Sequence, residues 1–281
     1  MNRFKQAGWL LLLAISVVLP VQASDSAKEQ RWANQIADFL VDGEQQWLDA
    51  NGQKFLAIYT PAAGNHIKGA VILLHGRGTH PDWPQVIQPL RTQLPEQGWA
   101  TLSLQMPVLH NGATYEDYIP LFKEVPARID AGLGFLSKQG VNNIVLLGHS
   151  LGTNMATDYL VNHPKSRIQA FVGIGMMGNP QPAEYQVLDN VAAMLQMKVP
   201  VLDIYGSQTY SRVLRSVDRR AFAVYHTGNH YSRQFKIDDA NHFFQGHEEE
   251  LLQAVTNWMA QFALPKQIHQ FTSTANSMHS K

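Results

Sequence analysis

The chain has 281 residues, 22 basic and 22 acidic side chains, and no cysteine. The missing thiols exclude Cys-based zinc fingers, iron–sulfur clusters, thiol nucleophiles and a diacylated-Cys anchor. A domain of this size buries roughly three-quarters of its unfolded surface and needs neither metal nor disulfide to hold a core, and the balanced charge gives no electrostatic reason to expect nucleic acid or an anionic membrane as partner.

Residues 1–23 combine Arg3 and Lys5, an apolar stretch from Trp9 to Val21, and Val21-Gln22-Ala23 as a small-x-small cleavage box. That is the layout of a secretory signal peptide, with cleavage expected after Ala23. About 13 apolar residues fall short of the roughly 20 of a spanning helix, so the mature protein is expected to be periplasmic or secreted, with no membrane span. Removing this segment leaves 20 basic against 22 acidic residues.

In chain order, Trp32, Ile36, Phe39 and Leu40 predict a small amphipathic helix over 28–41. Strand candidates follow at 54–59, 70–75, 99–104, 143–148, 170–174, 199–205 and 231–237. Between them lie helical patterns at about 84–95, 121–138, 151–163, 186–197, 211–226 and 247–262. The alternation predicts an α/β fold, a mostly parallel sheet with helices on both faces. The runs Val71–Leu74 and Ile144–Leu147 are apolar at every position, as central strands buried on both sides should be. One domain spans 24–264, with its core at about 45–262, and residues 265–281 read as a polar disordered tail. The segment 178–198 has room for one loop and one helix, so no large lid domain is expected.

Gly148-His149-Ser150-Leu151-Gly152 sits where a buried strand gives way to a helix. Gly-x-Ser-x-Gly in that context is a nucleophile elbow: a sharp turn strains the Ser backbone and lifts its hydroxyl clear. A tetrahedral intermediate needs backbone donors. The Leu151 amide is one, and the Arg77 amide, in the loop His75-Gly76-Arg77-Gly78 after an earlier strand, is the expected other. His242, after the last strand and flanked by Phe243 and Phe244, is the expected general base.

The segments HGRG, GHSLG, VPVLDIYGSQ and DANHFF, in this order and spacing, resemble the α/β-hydrolase superfamily, and in particular an uncharacterised branch of exported proteobacterial hydrolase-like proteins. The resemblance covers about residues 45–262. It implies the α/β-hydrolase fold and a Ser-acid-His apparatus with Ser150 as nucleophile and His242 as base.

The family's acid usually lies in the turn after the strand ending near Tyr205, and there Thr209 stands where an Asp is expected. Three repairs are open. Asp203, on the same strand, is the first choice for a catalytic acid, Asp239 the second, and in the third no acid acts. Met106, Tyr115, Tyr118 and the pair Met176-Met177 could wall an acyl pocket, and Glu116 and Asp117 read as a solvated acidic pair. His226 and His230 have a metal-ligand spacing, but Gly228 between them reads as a helix C-cap, so no metal is expected. The resulting expectation is an exported serine hydrolase that takes a small acyl or ester substrate and needs no cofactor. The alternative is a catalytically weak or inactive binding protein of the cell envelope. Oligomeric state is not legible in the sequence.

Overall fold

The computed structural model describes residues 23–263. The expected signal peptide, up to residue 22, and the polar tail lie outside the described residues. Eight strands form one sheet in the order β1-β2-β4-β3-β5-β6-β7-β8. They are β1 (Glu44–Ala50), β2 (Gln53–Thr60), β3 (Gly69–Leu74), β4 (Trp99–Leu104), β5 (Ile144–His149), β6 (Ile168–Ile174), β7 (Val201–Gly206) and β8 (Arg233–Ile237). The β1–β2 and β2–β4 pairs are antiparallel and all others parallel.

The helices are α1 (Ser26–Phe39), α2 (Ile87–Gln93), α3 (Val125–Lys138), α4 (Leu151–Asn162), α5 (Asn190–Met194), α6 (Ser211–Leu214), α7 (Val217–His226) and α8 (Glu248–Met259). Alternate side chains of the central strands enter two cores. Ile72, Leu74, Leu146 and Phe171 pack with Ile129, Leu133, Met155, Tyr159 and Val224 of α3, α4 and α7. Val71, Leu73, Val145 and Leu147 face the opposite way, onto Ile87 and Leu90 of α2 and Leu251, Val255 and Trp258 of α8. Every residue of β3 and β5 is buried, because helices cover both faces.

Three details differ from the sequence expectation. The edge strand β1 was missed: its sequence EQQWLDA is polar and no residue in it is fully buried. It forms a hairpin with β2 through Asn51 and Gly52, both at positive φ (56° and 90°), the backbone that an Asn-Gly turn requires. The helix expected over 186–197 is a 310 segment at Ala183–Leu188 followed by α5. The one expected over 211–226 breaks at Arg215 and Ser216 into α6 and α7. The segment 178–198 carries no large insertion, and no described helix is long and apolar enough to cross a membrane.

Candidate active site

Strand β5 delivers Ser150 at its C-terminal end, and α4 begins one residue later. Ser150 has φ 54° and ψ −120°, a strained backbone for a residue with a Cβ. Two bonds hold it there: its amide donates to Ile174 O (2.9 Å) and its carbonyl accepts from Thr153 Oγ1 (2.6 Å). Both flanking glycines are required. A Cβ on Gly148 would lie 2.5 Å from Gly152 O, and one on Gly152 would lie 2.3 Å from Leu74 O.

The loop after β3 is shaped by His75. Its Nε2 accepts from the Met106 amide (2.9 Å), so Nδ1 carries the proton and donates to Gly76 O (2.9 Å). A neutral, oriented ring therefore folds the loop back toward the serine, where Gly76 passes so close that an added Cβ would meet Ser150 Cβ at 3.2 Å. Neither the Arg77 nor the Leu151 amide donates to a backbone carbonyl among the described residues. Leu151 is the first residue of a helix, where amides lack intrahelical partners.

His242 lies in the loop between β8 and α8 and is buried. Asn241 Oδ1 accepts from the Phe243 amide (2.8 Å), and Phe244 anchors the loop in the α8-side core. Phe243 lines the cleft instead. The imidazole lies against Tyr210, with ring centroids 4.3 Å apart. A Cβ on Gly175 would approach its Cε1 to 2.8 Å. His149 Nε2 donates to the His242 carbonyl (3.1 Å), so the residue preceding Ser150 braces the loop that carries His242.

The Nδ1 atom of His242 meets Thr209 Oγ1 at 2.9 Å. Nε2 is buried without a partner among the described residues. Thr209 thus occupies the position from which an acid would hold the ring. Asp203, the first choice for that acid, belongs to another network: its Oδ2 accepts from Arg220 Nε (2.8 Å) and Gln234 Nε2 (2.8 Å). The physical reason is strand alternation. Asp203 sits mid-strand in β7 and pairs with α7 and β8, whereas the ring is reached from the turn beyond the strand end. The choice of Asp203 is corrected accordingly. Asp239 accepts from Gln208 Nε2 (3.1 Å) on the surface and does not bond to the ring.

Ser150 Oγ is hydrogen-bonded to Tyr115 OH at 2.7 Å. Tyr115 was read in the sequence only as a pocket wall, and the structure places its hydroxyl on Ser150 Oγ. Of the other wall candidates, Met106 is in the core. The Tyr118 hydroxyl accepts from the Leu109 amide (3.0 Å). Met177 lines a neighbouring cleft with Arg212 and Arg215. Gly76, Arg77, Thr79, Tyr115, Tyr210, Arg212 and Phe243 surround Ser150 and His242 in a cleft of about 270 Å³. Arg212 had no sequence signal, since nothing in the run Ser211–Arg215 says that it faces the serine. Among the described residues, no group of His, Asp and Glu is placed to hold a metal.

Burial drives three histidines well below the ordinary imidazole range: His75 to about 3, His149 to about 4 and His242 to about 3, the last also disfavoured by His149. All three are neutral at pH 7. In the unfolded chain they take up protons near pH 6.5, so between that value and about pH 4 the folded state binds fewer protons than the unfolded one. Stability is therefore full above pH 6.5 and falls as the solution is acidified, by about 1.4 kcal/mol per pH unit for each ring. Urea unfolding midpoints measured from pH 7 to pH 4.5 should drop steeply. A flat profile would show that the rings are hydrated and protonate in place.

Over residues 16–119 and 120–261 the chain matches the family model described as "Protein of unknown function (DUF3530)". No curated protein matches it. Among solved structures it is similar to Est1E from Butyrivibrio proteoclasticus (17% identity, TM-score 0.60, covering 79% of this chain and 99% of that one). It is also similar to a dienelactone hydrolase from Anabaena variabilis (19%, TM-score 0.63, 79% and 100%). A third is an α/β serine hydrolase described as without lid, from Xanthomonas campestris (13%, TM-score 0.59, 81% and 98%). At these identities the likeness establishes the fold. The chain belongs to the family described as protein of unknown function DUF3530, and it is folded as an α/β-hydrolase.

Proposed function

We propose that the protein is an exported serine hydrolase that cleaves an ester or similar acyl substrate outside the cytoplasm. The observation that carries this reading is the strained Ser150 at a strand–helix turn, sharing one cleft with a histidine whose Nε2 is free. Ser150 Oγ attacks the acyl carbonyl after leaving its bond to Tyr115. His242 Nε2 takes the proton and later returns it to the leaving alcohol. In the reactive tautomer Nδ1–H donates to Thr209 Oγ1 and the lone pair is on Nε2; a hydroxyl, which can also donate, does not impose this tautomer as a carboxylate does. The neutral Thr209 oxygen stabilises the imidazolium less than a carboxylate would. The Leu151 and Arg77 amides supply the oxyanion donors. No step calls for a cofactor.

A second reading, a weak or inactive hydrolase scaffold that binds a ligand in the cell envelope, is favoured by one observation. Thr209 stands on the acid's side of the ring, and His242, with a pKa lowered to about 3 by burial, is a poor base. A fluorophosphonate probe separates the two. Labelling of Ser150 in the native protein, lost in Ser150→Ala and at least 100-fold slower in His242→Ala, supports the hydrolase. An unlabelled native serine sinks it.

A further inference from the structure

The chemistry of the serine cleft is set by charge as well as by the nucleophile. The Arg77 guanidinium carbon lies 5.1 Å from the centre of the Tyr115 ring and that of Arg212 lies 5.5 Å from it. Tyr115 is the side chain whose hydroxyl holds Ser150 Oγ. Both arginines line the cleft that contains Ser150 and His242. Arg77 Nη1 donates to the Ala113 carbonyl, which fixes that guanidinium in place. The Arg212 guanidinium has no hydrogen bond or carboxylate partner among the described residues.

No anion in the cleft offsets these charges. The usual triad acid is replaced by Thr209, Asp203 is bound to Arg220, and His149 and His242 are neutral. Glu116, in the adjoining cleft with Arg212 and Arg215, forms no ion pair with either. Planar guanidinium forks suit bidentate binding of carboxylate or phosphate.

We propose that Arg77 and Arg212 form a subsite for an anionic group, a carboxylate or phosphate, carried by the molecule whose acyl carbonyl meets Ser150. As a statement about a substrate this rests on the hydrolase reading, and it names Arg212 as a specificity-determining residue.

Two p-nitrophenyl esters of equal chain length test it: the mono-ester of glutaric acid, with a free carboxylate, and the ester of pentanoic acid. The expected result is a kcat/KM at least tenfold higher for the charged ester, with that ratio falling at least tenfold in Arg212→Gln and partly retained in Arg212→Lys. Equal rates, or a ratio untouched by Arg212→Gln, overturn the subsite while the hydrolase stands. If neither ester is turned over, fluorophosphonate labelling of Ser150 decides the hydrolase reading, and calorimetric titration decides the subsite by itself. Glutarate or inorganic phosphate, titrated separately, should bind the native protein at least tenfold more tightly than Arg212→Gln, and the arm that binds identifies the anion. Binding of neither overturns the proposal.

Discussion

Thr209→Asp raises the rate of Ser150 acylation by about 10²- to 10⁴-fold. A carboxylate at Nδ1 fixes the tautomer and stabilises the imidazolium formed as the serine proton moves, and its removal from a Ser-His-Asp enzyme costs about 10⁴ in turnover. The geometry for the reverse experiment is in place, since Thr209 Oγ1 already lies 2.9 Å from the ring nitrogen. The pH dependence moves as well. In the native protein His242, lowered to about 3, is in its basic form throughout the usual range, so the acylation rate has no acidic limb above about pH 4. An adjacent carboxylate favours the imidazolium and lifts the ring's pKa, so the variant gains an acidic limb nearer neutrality. Thr209→Val, which keeps the shape and deletes the hydroxyl, should move the rate the other way. Probe kinetics across pH read both effects. A folded Thr209→Asp protein with native kinetics would remove His242 from the chemistry and favour the binding-protein reading.

Asp203→Ala costs about 3–5 kcal/mol of stability, the range for breaking a buried ion pair and leaving one charge uncompensated. Asp203 and Arg220 are both fully excluded from solvent. Arg220 also donates to the Val213 carbonyl (2.7 Å) and to Ser216 Oγ, so this one guanidinium ties β7 to the break between α6 and α7. The contact is a single bond through Nε. Asp203 Oδ1 and Arg220 Nη2 are left without partners. Replacing both residues by apolar ones of similar volume, Asp203→Leu with Arg220→Met, should recover most of the loss, because no charge then remains buried. Chemical denaturation of the single and double variants measures this. The assignment fails if Asp203→Ala is as stable as the native protein and has lost probe labelling. That outcome would return Asp203 to the role of acid.

How far the sequence could be read depended on whether the signal was local. The apolar runs of β3 and β5, the two glycines around Ser150 and the histidine after the last strand each sit in a short stretch whose physics is self-contained. The Thr209 turn was equally legible, because its distance from the end of β7 is short. Asp203 misled for a reason outside its neighbourhood: its partner Arg220 is 17 residues away in the chain and is reached only after α7 packs on the sheet. Tyr115 lies in a loop and Arg212 on the short helix α6, both line the cleft of the serine, and no spacing in either segment announces the meeting. Strand β1 went unseen because an exposed edge needs no apolar alternation. Its Asn51-Gly52 turn was the available clue.

The end of β7 and the loop that carries His242 are clasped together. A Cβ on Gly206 would lie 2.2 Å from Ala240 O, and the same carbonyl accepts from the Gln208 amide at 2.9 Å. Ser207 N donates to Ile237 O (2.9 Å) in the same seam. The ring and the hydroxyl beside it are therefore mounted on two segments tied by backbone contacts, at the edge of the sheet where β8 has a single neighbour. Detachment of β8 from β7 breaks those backbone bonds and parts the ring from the hydroxyl. The position at His242 Nδ1 is aligned on the ring while holding a neutral side chain. A single codon change could fill it with an acid without rebuilding the scaffold.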